Sequence, residues 1–238
     1  MTLKSLLVLV LTVLFAATPF LTQPFTGYDP TIFPVVIERP SIQPAGYAFS
    51  IWLVIYLWLI AHAGFGFWTR AKSLDWDETR LPLAISLGFG TAWLFYAAHF
   101  PLLATLGLMF MLATALAAFL TADEFYDRWL LSGALAIYAG WLSAATCVST
   151  GILIAGYGLM TDTESAFAMI AAVGVIAGTV QFLRPEMPVY GATVIWALVG
   201  VVFRNIAANV PVSLAAAGVT AGMAALLAWQ WRKRRNSI

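Results

Sequence analysis

Charged residues are scarce in this chain. Asp, Glu, Lys and Arg make up 10% of 238 residues, where a soluble domain carries about 25%. The charges nearly cancel, leaving a net charge of +1, so the strongly basic surface typical of nucleic-acid-binding proteins is absent from the composition and no nucleic-acid partner is predicted. So few charges also argue against a soluble fold.

Cysteine and histidine are almost missing as well. The single cysteine, Cys147, lies in an apolar stretch, which excludes an internal disulfide and a CxxC metal motif. His62 and His99 fall at different predicted depths and cannot share a metal ion, so no metal site is predicted. His62 alone has two interpretations, an axial haem ligand or a hydrogen bond between helices, and the second is favoured. No catalytic residues can be assembled, and enzyme activity stays open but is not expected.

The chain consists mainly of long apolar stretches, and 62% of its residues are hydrophobic. About 20 consecutive apolar residues span a bilayer as a helix, and these stretches are too long and too continuous for barrel strands. An all-α integral membrane protein with eight helices is therefore predicted. The predicted helices are Leu3 to Leu21, Tyr47 to Trp68, Leu81 to Phe100, Leu102 to Leu120, Trp129 to Leu153, Ala166 to Phe182, Val189 to Phe203 (with a continuation through Asn205 allowed) and Val212 to Trp231.

The basic residues predict an orientation. With eight spans both termini share a side, and ten of the twelve Lys and Arg residues lie on it, with only Arg39 and Arg204 opposite. By the positive-inside rule both termini are cytoplasmic in an inner membrane. The first stretch also resembles a signal peptide, but Phe15 and Pro19 make a poor cleavage context and a retained helix is favoured. Arg204 is predicted to face the protein interior rather than the lipid headgroups.

The segment from Thr22 to Gly46 differs from the other connections because it holds five prolines and is much longer. Long loops in compact proteins are often lids or binding elements. A proline-rich tether packed over the helix ends explains the composition equally well, and the sequence leaves both interpretations open.

The segment that leads into the second helix carries a recognisable motif. It reads Pro-Ser-Ile-Gln-Pro-Ala-Gly-Tyr-Ala-Phe-Ser-Ile-Trp from Pro40 to Trp52, followed by Tyr56 one helical turn later. It resembles the signature of the TspO/MBR family, the tryptophan-rich sensory or translocator proteins, in its longer bacterial type with extra C-terminal helices. Two further segments fit in order, one ending at Trp93 and one running from Tyr138 to Trp141. Gly90 and Ser149 stand where the family has asparagines.

The resemblance implies a five-helix core over residues 1–154 with a lid loop at 22–46, and a three-helix extension with a basic tail over residues 155–238. It also implies a cavity for porphyrins or other flat amphipathic ligands, so a tetrapyrrole is an expected ligand although no cofactor is certain. The expected partners are the lipid bilayer and a hydrophobic small molecule, and a homodimer stays open. The implied ligand-binding residues are Pro44, Gly46, Tyr47, Phe49, Trp52, Tyr56, Trp93, Tyr138, Trp141 and Ala145.

Ten tryptophans need a second interpretation, because Trp residues also populate membrane interfaces. Those at predicted helix ends are assigned to such a belt. They are Trp68, Trp76, Trp129, Trp229 and Trp231.

Three functions remain after these arguments. The first is a receptor or sensor that binds tetrapyrroles and acts in regulation or transport. The second is a transporter of a small metabolite, which intramembrane carboxylates or inverted repeats would favour. The third is an enzyme that degrades porphyrin under light.

Overall fold

The computed structural model describes residues 2–23, 25, 27–123 and 125–236, and over these residues the chain is helical with no β-strand. The predicted all-α fold with eight helices is confirmed. The helices are α1 (Leu3–Leu21), α2 (Ile51–Trp68), α3 (Leu74–Ala97), α4 (Pro101–Thr121), α5 (Ala134–Gly156), α6 (Asp162–Leu183), α7 (Val189–Asn205) and α8 (Val210–Arg235). Short 3-10 turns occur at Pro30–Ile32 and at Gly46–Ser50, immediately before α2.

Six of these segments are long and apolar enough to cross a membrane, namely α1, α2 with its preceding turn, α4, α5 with the turn that precedes it, α6 and α8. The other two differ for simple reasons. Helix α3 begins earlier than predicted, so that Asp75, Asp77 and Glu78 lie in its first turns, and α7 has only 17 residues even though it continues through Asn205 as the sequence allowed. The chain is thus a multi-pass membrane protein.

The helices form two compact units, each described here by itself. The first comprises the described part of residues 1–29 together with 50–142, and the second comprises 30–49 with the described part of 143–238. The predicted division at residue 154 stays a prediction about the extent of the family core.

In the first unit α1 packs on α2 and α3, and α3 packs on α4. The buried guanidinium of Arg80 closes the turn between α2 and α3, donating to the backbone oxygens of Gly66, Arg70 and Ala71. It therefore satisfies the Gly66 carbonyl at the end of α2 and adds two hydrogen bonds to the turn that follows. At this same turn, α1 is capped by Thr2, whose hydroxyl also donates to Ala71 O, and α1 is joined to α3 by an ion pair between Lys4 and Asp77.

Asp127 ties the connection between α4 and α5 to this turn. Its carboxylate accepts hydrogen bonds from Arg70 Nε at 2.7 Å and Trp76 Nε1 at 2.9 Å, while its backbone takes a left-handed conformation with φ of +50°, which Asp tolerates better than most residues. The hydrogen bond and positive charge of Arg70, together with the Trp76 bond, lower the pKa of Asp127 below its usual value. The carboxylate is therefore the form that holds this connection in place.

Trp76 corrects one prediction. It was assigned to the interfacial belt, but the structure buries its ring to 2% exposure and stacks it on His62 at 4.7 Å. The other four belt tryptophans, Trp68, Trp129, Trp229 and Trp231, are between 51% and 75% exposed, as residues facing lipid or headgroups must be.

A π-helical turn, Trp129–Gly133, precedes α5. Its N–H groups reach further back than in an α-helix, since Gly133 donates to the carbonyl of Arg128 five residues earlier. Two carbonyls of this turn accept hydrogen bonds from α2: Trp129 O from Trp58 Nε1 at 2.8 Å, and Leu130 O from His62 Nδ1 at 2.7 Å. The preferred interpretation of His62, a hydrogen bond between helical segments, is thereby confirmed.

In the second unit α6, α7 and α8 pack on one another, and a buried amide network links them. Gln181 Nε2 donates to Gln230 Oε1 at 3.0 Å, Gln230 Nε2 returns a bond to Gln181 O, and the Gly191 amide donates to Gln181 Oε1. Every polar atom of the Gln181 side chain is therefore satisfied inside the helix cluster.

Residues 30–49, called the strap from here on, run along the helix ends of this second unit. The strap begins with Phe33 packed on Gly156 and with the Val35 amide donating to Gly156 O at 2.9 Å. It ends with the Ala45 amide donating to Gly200 O and Trp196 Nε1 donating to Ala48 O, both at 2.9 Å. The strap is therefore packed against this unit, as the tether interpretation expects, and a lid function of residues 22–46 stays a prediction.

Candidate functional site

Five aromatic side chains meet in the first unit. The rings of Trp52 and Tyr56 are stacked, with centroids 5.3 Å apart and planes 20° from parallel. Trp141 presents an edge to Trp52 at 6.1 Å, and Phe15 presents edges to Trp52, Tyr56 and Tyr138 at 5.9, 5.3 and 5.8 Å. Trp52 and Tyr56 are half-buried, whereas the other three are buried. We call this group the aromatic cluster.

Four of the ten predicted ligand-binding residues are thus brought together, and Phe15 is a member that sequence reasoning missed. Its signal lies at Gly90, where the family has an asparagine. A Cβ at Gly90 would stand 2.6 Å from Phe15 Cε2 and 3.0 Å from Met111 Cε, so this position has no room for any side chain while Phe15 occupies its place. The glycine at residue 90, where the family has an asparagine, therefore leaves the space that the Phe15 ring occupies in the cluster.

The polar atoms of the cluster fall into two kinds. The hydroxyl of Tyr138 already has a hydrogen-bond partner. The Ser86 hydroxyl uses its own hydrogen to donate to Met111 O at 2.9 Å, so it accepts the hydrogen bond from Tyr138 at 3.0 Å. By contrast, neither the indole N–H of Trp52 nor the hydroxyl of Tyr56 has a hydrogen-bond partner among the described residues. Two neutral donors thus remain available at the half-exposed face of the stack.

Trp93 lies in a different set of contacts. Its Nε1 donates to Ala104 O of α4 at 2.9 Å, and its ring meets Phe25 edge-on at 4.9 Å. Its observed role is to join α3 to α4, and no ring contact with the aromatic cluster is seen in the described residues.

The remaining predicted site residues belong to the second unit. Pro44 packs against Gly200, Gly46 opens the 3-10 turn before α2, and Tyr47 meets Trp196 and Phe203 edge-on at 5.6 and 6.1 Å. Phe49 and Ala145 are half-buried there. Within this unit Pro44 and Tyr47 pack the strap against α7.

A polar cluster around Ser41 was not predicted at all. The Asp162 carboxylate accepts from both the amide and the hydroxyl of Ser41, Asn205 Nδ2 donates to Ser41 O at 2.7 Å, and Asn209 Nδ2 donates to Ser41 Oγ at 3.1 Å. Asn205 and Asn209 thereby anchor the strap. Arg204 beside them is half-buried and makes no hydrogen bond or ion pair with the described residues.

The described residues contain no group of three or more His, Cys, Asp or Glu side chains placed to hold a metal ion. The chemistry on offer at the aromatic cluster is therefore stacking together with hydrogen-bond donation by neutral groups.

The structure thus defines the class only as a multi-pass helical membrane protein, with an aromatic cluster on α1, α2 and α5. The family model for TSPO-like protein matches residues 3–229, which is nearly the whole chain. The chain belongs to this family, and the resemblance found in the sequence is confirmed. No curated protein and no solved structure matches the chain.

Proposed function

We propose that the protein is a membrane receptor or sensor that binds tetrapyrroles, or similarly flat amphipathic molecules, at the aromatic cluster. The observation that carries the proposal is the half-exposed, nearly parallel pair of Trp52 and Tyr56, with the edge of Trp141 beside it. Such a surface stacks on a flat conjugated ring, and aromatic contacts add about 0.5–1.5 kcal/mol beyond burial.

The two unpaired donors, Trp52 Nε1 and Tyr56 Oη, indicate which chemical groups a ligand of this surface would carry. Trp52 Nε1 and Tyr56 Oη donate hydrogen bonds without carrying charge, so they favour a ligand whose acceptor oxygens, such as carboxyl or carbonyl groups, lie at the edge of its ring system. Porphyrins with acidic side chains fit this description. The proposed role is regulatory or in transport of the bound molecule.

Titration of the purified protein with protoporphyrin, followed by tryptophan quenching, tests the proposal. Trp52→Ala should weaken binding roughly two- to twelvefold, since it removes a stacking surface. Tyr56→Phe should weaken it within a similar range, because it removes only the unpaired hydroxyl. Trp229→Ala, which removes an exposed indole of α8, is the matched control and should bind like the parent.

Two outcomes would contradict the proposal. A parent protein that does not bind protoporphyrin rejects the tetrapyrrole ligand, and equal affinities for all four proteins remove the aromatic cluster as its site. Illuminating the bound complex adds a further distinction, since loss of porphyrin absorbance that depends on Trp52 or Trp141 would favour the degrading enzyme over the receptor.

We also propose that both termini are cytoplasmic and that the membrane is the inner membrane. The support is the asymmetry of the basic residues, including the run Arg232, Lys233, Arg234 and Arg235 at the end of α8. A reporter that is active only outside the cytoplasm should work when fused within the strap and fail when fused after residue 235. The reverse pattern would overturn this orientation.

A further inference from the structure

We infer that Trp58 and His62 are positioning residues, which set the register of α5 against α2 and so hold Tyr138 and Trp141 in the aromatic cluster. The inference concerns the geometry of the cluster, and it rests on the proposed function only for what the cluster binds.

The π-helical turn before α5 determines which side chains of α5 face α2. A turn closed by bonds between residues five apart contains one residue more than an α-helical turn, and each residue of an α-helix advances the chain about 100° around its axis. Every side chain of α5 after the turn is therefore rotated relative to a helix without it. Whether Tyr138 and Trp141 point toward α2 depends on the turn being kept.

Two ring donors hold this turn from outside. Trp58 and His62 are four residues apart and lie on one face of α2, from which they donate to the neighbouring carbonyls of Trp129 and Leu130. Meanwhile the Ala134 amide, the first of α5, turns to Leu131 O. The ring N–H groups of Trp58 and His62 therefore donate to carbonyl oxygens that the π-helical turn directs toward α2.

Close packing at Gly133 supports the same role. A Cβ on Gly133 would lie 2.7 Å from Trp58 Cζ2, so the indole reaches its acceptor only by lying against a residue without a side chain. His62 is fixed from its other face by the stacked ring of Trp76, whose own N–H is held by Asp127. Both donors thus have little freedom to follow the turn if it shifts.

The spacing along the two helices agrees with this pinning. His62 meets Leu130 and Trp52 meets Trp141, so ten residues separate the contacts on α2 and eleven separate them on the antiparallel segment. At 1.5 Å per residue these lengths are about 15 and 16.5 Å. The two lengths differ by only about 1.5 Å, so the His62 and Trp52 contacts can be made at the same time by antiparallel segments.

A slip of α5 by one residue would uncouple both ring donors from their carbonyls, and water cannot take the place of the lost partner at His62, which is 1% exposed. It would also turn Trp141 away from Trp52. The two hydrogen bonds therefore favour the one register in which the aromatic cluster is complete.

The test follows the environment of Trp141 directly, by ¹⁹F NMR of protein labelled with 5-fluorotryptophan, with the Trp141 resonance assigned from Trp141→Phe. Trp58→Phe and His62→Phe should each move that resonance, although both sites lie about two to three helical turns along α2 from Trp52, the residue that contacts Trp141. His62→Asn, which restores an amide N–H near the position of Nδ1, should return it toward the parent value.

Trp196→Phe is the matched control, because it deletes an indole donor to a backbone carbonyl in the second unit, at 2.9 Å compared with 2.8 Å for Trp58. It should leave the Trp141 resonance unmoved. If one of the two variants fails to fold, the other decides. An unmoved resonance in the folded variants overturns the inference, and so does a control that moves the resonance equally.

Protoporphyrin titration of the same variants separates this inference from the proposed function. Affinity should fall roughly three- to tenfold in Trp58→Phe and His62→Phe. A moved resonance in a protein whose parent binds no porphyrin supports the positioning role and rejects the ligand. An unmoved resonance in a parent that does bind rejects the positioning role alone.

Discussion

Gly200→Val should release the strap from the second unit and destabilise that unit by about 2 kcal/mol, the typical size of overpacking. A Cβ at residue 200 would stand 2.8 Å from Pro44 Cβ and 2.9 Å from Ala48 Cβ. Neither neighbour is the end of a flexible side chain, so the strap itself must move. That movement would also break the hydrogen bond from the Ala45 amide to Gly200 O.

The release can be measured by proteolysis after Glu38, an exposed residue of the strap, with a glutamate-specific protease. A loss of about 2 kcal/mol corresponds to roughly thirtyfold faster cleavage if opening precedes cleavage. Gly178→Val is the control, because a Cβ there meets no atom within 4 Å. Equal cleavage of the two variants would show that the contacts at Gly200 do not hold the strap.

Gln181→Leu should be the second strongly destabilising substitution. It strands two groups inside the helix cluster, the Gly191 amide and Gln230 Oε1, each of which loses its partner. A buried unsatisfied group costs about 1–3 kcal/mol in proteins, although interhelical hydrogen bonds in membranes average only about 0.6 kcal/mol. Because two groups are stranded at once, we expect a loss near 2 kcal/mol.

Thermal unfolding in detergent measures this loss, with Thr179→Val as the control at an exposed position two residues away. The double variant Gln181→Leu/Gln230→Leu should be less destabilised than the sum of the single variants, because it leaves no glutamine side chain unpaired. Strict additivity would contradict a shared network.

The helices themselves could be predicted, because in lipid a long continuous apolar stretch satisfies its backbone hydrogen bonds only as an α-helix. The bounds of α1 agree residue for residue with the expectation, and α7 ends at Asn205 where the absence of a helix breaker allowed it. Helix α3 was shortened in the prediction because Asp75, Asp77 and Glu78 resemble a loop, whereas acidic residues are favourable in the first turns of a helix.

The members of the aromatic cluster could be predicted only where a motif carried them. Trp52, Tyr56, Tyr138 and Trp141 come from segments that resemble the family, and the structure brings their rings together. Trp76 was misassigned because a tryptophan near a helix end has the same local sequence whether it faces lipid or donates to an acid such as Asp127, 51 residues away. The pairing of Ser41 with Asp162, 121 residues later, likewise has no local signal.

The strap has a consequence for dissecting the chain by truncation. Its anchors Asp162, Gly200 and Asn205 all lie beyond residue 154, where a fragment cut to the five-helix core predicted from the sequence would end. Such a fragment would keep Ser41 and Ala45 but remove the groups to which they bond, leaving backbone donors unpaired. In this protein α6 and α7 therefore hold the strap in place before α2 begins. A shortened chain would lack these contacts, and experiments on it would not report on the strap of the full chain.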